Sequence, residues 1–62
     1  MKRLELVRYL LAKGCVLVRE GHDHTVFRNP ANGLQSVLGR HREIDNLMAR
    51  KICRQLGIDP ML

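Results

Sequence analysis

Three histidines, His22, His24 and His41, are the side chains best suited to chemistry here; Arg28 follows on the segment of His24, and Arg40 and Arg42 flank His41. An isolated imidazole titrates near pH ~6.5, so it can take up or return a proton near neutrality. Guanidinium groups and backbone N–H groups can hold a phosphate oxygen. Together these are the parts of an acid–base centre for a phosphodiester. A rival reading is a metal site. His22-x-His24 puts two imidazoles on one side of an extended chain, but zinc needs at least three good ligands, which Asp23, His41 or a cysteine would have to complete. No compact Cys/His spacing supports this, and neither metal nor cofactor is expected. Other enzyme classes lack their parts: there is no Gly-rich phosphate loop, no nucleophile elbow, a single serine (Ser36), and only scattered acids.

The elements that must position these groups belong to one small domain, residues 1–62, because a chain of this length has room for one core. Its formal net charge of +5 and pI near 10.0 favour polyanionic partners, although charge alone is a weak pointer to nucleic acid. The longest apolar run, Cys15 to Val18, is far short of the roughly 20 residues that span a bilayer. With no secretory leader in the opening residues, the expectation is a cytoplasmic protein with no membrane partner. In that reducing compartment Cys15 and Cys53 read as small buried hydrophobes rather than a bridge.

Leu4, Val7 and Leu11, with Leu6 and Leu10 beside them, carry the three-and-four spacing of a helix that Gly14 can close. Cys15 to Arg19 reads as a strand, Glu20-Gly21-His22-Asp23 as a turn, His24 to Arg28 as a second strand, Asn29 to Gly33 as a turn, and Leu34 to Leu38 as a third strand. Such short connections predict an antiparallel meander. Alternation sends Phe27 and Thr25 to one face and His24, Val26 and Arg28 to the other; the Phe27 face is expected to be the core. Ile44, Met48, Ile52 and Leu56 restore helical spacing after a polar loop, with Asp45 or Asn46 as cap and Gly57 as terminator. Both helices should cover the same sheet face. The tail from Ile58 to Leu62 is expected to pack locally or fray. The expected class is therefore α+β, an α-β-β-β-α double-stranded-RNA-binding-like fold, and fold alone does not settle function.

Leu17-Val-Arg-Glu-Gly-His-Asp-His24, then Phe27-Arg-Asn-Pro30 with Asn32-Gly33, then Arg40-His-Arg-Glu-Ile44, then Ile52-Cys-Arg-Gln-Leu-Gly57 resemble, in order and spacing, the pattern of the HicA family. No single piece is specific; the four together span nearly the whole chain. The sequence departs from the pattern at Gly39, where a proline is frequent, and at Leu47-Met48, where Gly-Thr often opens the last helix. The resemblance implies an mRNA interferase, the toxin of a type II toxin–antitoxin pair, neutralised by direct binding of a HicB-type antitoxin. It places the catalytic histidine at His24 and the preceding glycine at Gly21.

RNA suits so small a site because its 2′-hydroxyl is the nucleophile. His24 would serve as acid or base, with His22 as a possible second such group. Arg28, sharing a face with His24, is the leading candidate for phosphate contact, followed by Arg40; Gly21 and His41 complete the expected substrate contacts. Lys2, Arg50 and Arg54 are candidate guides for the RNA backbone. Two other classes remain open: a non-catalytic RNA-binding module of the same fold, and a small interaction protein with no nucleic-acid role. Both RNA readings predict salt-sensitive binding, and only the first predicts strand scission.

Overall fold

Leu6 and Leu10, one turn apart and fully buried, define the inner face of helix α1 (Arg3–Ala12). Leu4 and Leu11 stay exposed on its outer side. The helix ends where Lys13 and Gly14 leave helical geometry, with Gly14 at φ 91°, a backbone conformation in which only glycine is unstrained. The computed structural model describes residues 1–60; of the tail expected to pack or fray, Met61 and Leu62 lie outside the described residues.

Three strands follow: β1 (Val16–Glu20), β2 (His24–Arg28) and β3 (Gln35–Gly39), in the order β1-β2-β3 and antiparallel throughout. Cys15, expected at the head of the first strand, is instead the buried joint between α1 and β1. Thr25 and Phe27 of β2, with Ser36 and Leu38 of β3, are buried on one face, while His24 and Arg28 are exposed on the other. The alternation expected for β2 therefore holds. Helix α2 (Asn46–Gln55) adds Ala49, Ile52 and Cys53 to the same core, joined by Ile44 and Leu56 at its two ends. Both helices thus cover the Phe27 face, leaving the His24 face open. Asp45 is the cap: its Oδ1 accepts from the Leu47 N–H at 3.2 Å.

The turn between β2 and β3 also terminates α2. Asn29 Nδ2 and Asn32 Nδ2 both donate to the Leu56 carbonyl, at 2.9 and 3.0 Å, satisfying one of the orphan acceptors at the helix end. Gly57 lies at φ 71°, and a side chain there would run into the Asn32 amide. At the other end of the molecule the backbones of Lys2 and Glu43 pair in an isolated antiparallel bridge, and the Arg3 N–H donates to the Arg42 carbonyl at 2.7 Å. Tyr9 packs against the core and donates its hydroxyl to the Asp59 carbonyl at 2.6 Å.

Candidate active site

His24 opens β2 on the uncovered face, directly opposite Gly39 of β3. Glycine there means that no side chain stands beside the imidazole on that flank; a Cβ built on Gly39 would meet only the His41 ring, at 3.6 Å. The Gly39 carbonyl is held by Arg3 Nε at 2.9 Å, so α1 fixes the backbone facing the histidine. On the other flank the chain reverses tightly through Gly21, whose N–H donates to the His24 carbonyl at 2.7 Å. A Cβ on Gly21 would lie 3.2 Å from that same oxygen, closer than side chains normally sit. Gly21 thus gives the hairpin its closeness, and its N–H is committed to the backbone of His24.

A hollow of about 500 Å³ lies against this end of the sheet, within the size range that takes a nucleotide-sized ligand. His24, His22, Asp23 and Gly21 form one wall. Val26, Val37 and Arg19 complete the lining. His22 and Asp23 are strongly exposed at the hairpin tip, with Nε2 3.9 Å from Oδ1. Arg19 was not singled out from the sequence, and it is the cation that lines the hollow.

The other expected site residues separate from His24. Arg28 shares its face but stands at the opposite end of β2, paired with Val16 and Gln35; four residues of strand amount to roughly 13 Å. Arg40 lies 2.7 Å from Glu20 Oε1 in an ion pair. It lines a second hollow with Lys2, Arg3 and Arg42, where cations from the start of the chain meet the pair that flanks His41. His41 borders Gly39 but belongs to a different depression, with Ile44 and Met48. Arg50 and Arg54 are exposed on α2.

A polar network underlies this end of the sheet. Buried Thr25 accepts from Arg3 Nη2 at 2.9 Å, and its hydroxyl donates to Glu20 Oε1 at 3.3 Å. Among the described residues no group of three or more His, Cys, Asp or Glu side chains stands in a metal-ligating arrangement. Both cysteines are buried; burial first and the neighbouring Cys53 second push the Cys15 thiol above its ordinary range. No helix of the described residues is long and apolar enough to cross a membrane.

The fold and site define a small basic α+β domain that presents a histidine on the bare face of a three-stranded sheet. Residues 4–58 match the family model described as the HicA toxin of bacterial toxin–antitoxin systems. The chain belongs to the HicA toxin family, and its role is that of the toxin in such a pair. No curated protein and no solved structure matches the chain.

Proposed function

We propose that this toxin is an mRNA interferase whose acid–base group is His24 and whose activity is silenced by a HicB-type antitoxin. The observation that carries the reading is the position of His24, exposed at the rim of a nucleotide-sized hollow on the uncovered sheet face of a HicA-family chain. In the reaction His24 removes the 2′-hydroxyl proton, O2′ bonds to phosphorus, and the P–O5′ bond breaks. The departing 5′-oxygen takes a proton from an imidazolium, His24 itself or His22. The products are a 2′,3′-cyclic phosphate and a 5′-hydroxyl end. General acid–base catalysis of this kind contributes about 10²- to 10⁴-fold. The exposed Lys2 and Arg42 of the second hollow serve as a track for the flanking phosphates.

The test is cleavage of an end-labelled RNA by the purified chain in excess EDTA, with His24→Ala alongside. The expected result is cutting by the native chain only, both proteins giving the same far-ultraviolet circular dichroism because an exposed strand-end histidine carries no part of the core. If both bind RNA and neither cuts, the fold serves as a non-catalytic RNA-binding module. If His24→Ala cuts as well as the native chain, the catalytic group lies elsewhere.

A further inference from the structure

Strand β1 does not run regularly along β2. Val16 stands opposite Arg28 and Leu17 opposite Phe27, but Arg19 stands opposite Val26 and Glu20 opposite Thr25, with the register shifting between Leu17 and Arg19. Val18 is the extra residue of a β-bulge, a device that re-aims side chains and recurs beside active sites. Continuing the regular pairing from Leu17 onward would put Val18 opposite Val26, Arg19 opposite Thr25 and Glu20 opposite His24. Residues directly opposite each other share a face. Regular pairing would therefore set a carboxylate beside His24 and turn the guanidinium of residue 19 toward the core. The bulge reverses both. It brings Arg19 onto the open face, where it lines the hollow with His24, and sends Glu20 to the other side, where it is bound by Thr25 and Arg40.

The displaced acid is thus neutralised by Arg40, whereas Arg19 is exposed and has no acidic partner among the described residues. Val26 and Val37 beside it carry no polar side-chain group, and Asp23, which lines the same hollow, makes no ion pair with it. A cation kept free beside an imidazole fits an anion that arrives with the substrate.

We infer that Arg19, turned onto the histidine's face by the bulge at Val18, holds the scissile phosphate, a role that Arg28 and Arg40 are placed too far away or too firmly paired to fill. Its guanidinium donates to the non-bridging oxygens, which gain charge as O2′ bonds to phosphorus. This rests on the proposed ribonuclease reading.

The experiment is single-turnover cleavage of a short labelled oligoribonucleotide by the native chain and by Arg19→Ala, Arg19→Lys, Arg28→Ala, Arg8→Ala and His24→Ala. Arg8 is exposed on α1, in the helical layer behind the sheet, and controls for the loss of one positive charge. Arg19→Ala is expected to cut on the order of 10²-fold more slowly at saturating RNA, the scale for removing one donor to a developing oxyanion. Arg19→Lys should restore part of that rate, and Arg8→Ala should cut like the native chain. The assignment is overturned if Arg19→Ala cuts within about twofold of the native rate, or if Arg28→Ala shows the large loss instead. Cutting by His24→Ala at the native rate would sink the histidine mechanism while leaving the comparison at Arg19 readable. A native chain that cuts no RNA removes both.

Discussion

At the scale of single residues, burial separates the proposed reactive groups from the thiols. His24 and Arg19 stand in solvent and contribute nothing to the core; Cys15 is 2% exposed within it. Raising a thiol's pKa lowers its thiolate fraction near neutral pH, and the thiolate is the nucleophile. Native protein should therefore leave Cys15 unmodified by iodoacetamide at pH 7.5, and urea should expose it to rapid alkylation, as mapped by peptide mass spectrometry. Rapid labelling of Cys15 in the folded chain would contradict its place at the buried joint between α1 and β1. His24 became the candidate because a residue type and a family pattern coincided at position 24, and alternation gave its face correctly. Arg28 was legible only as a face. Parity along a strand says which side a residue occupies and not how far along it lies, so Arg28 shares the side of His24 and misses its hollow. Arg19 was not legible at all, since a bulge at Val18 leaves no mark in composition, and it alone decides which way the guanidinium turns.

Among the elements, the helices and strands follow their sequence signals to within a residue or two, because apolar periodicity and turn formers dictate them locally. Ile44 shows the limit: it fits the periodicity of α2 but precedes the helix, which begins only after the Asp45 cap. What local signals do not carry is the joining of elements, and here the β2–β3 turn does work that its Asn-Pro-Ala-Asn-Gly composition did not announce. Asn29 is 6% exposed, and its amide donates to the carbonyl of Leu56, the residue that caps α2. Asn29→Ala should lower stability by about 0.5–1.5 kcal/mol in urea unfolding, since it removes one of the two hydrogen bonds to the Leu56 carbonyl. Gly57→Ala should cost at least ~1 kcal/mol for the left-handed backbone alone, with a further loss as Asn32 is pushed off Leu56. If Gly57→Ala unfolds at the native midpoint, the turn does not hold the helix end as described.

For the molecule as a whole, the arrangement divides labour between two sides of the sheet. The Phe27 side carries both helices and the core; the other keeps Val37 53% exposed near the histidine and Val16 44% exposed at the far end of the strand. The basic residues should make RNA binding strongly salt-dependent. Each phosphate neutralised on a single strand contributes about −0.7 to the slope of log K against log salt, so three contacts predict a slope near about −2. Fluorescence anisotropy with an uncut 2′-deoxy oligonucleotide measures it, and an affinity unchanged between low and high salt would argue against any polyanion. The β-bulge also has a genetic reading. Loss of codon 19, in frame, would leave Val18 opposite Val26 and Glu20 opposite Thr25, relaxing β1 into a regular strand with its remaining pairs intact. On the role assigned to Arg19, that deletion gives a smoother strand and a disarmed toxin. A cell selected to survive without the antitoxin thus has a route to escape that never touches the histidine codon, and among survivors of such a selection lesions in β1 should recur beside those at His24.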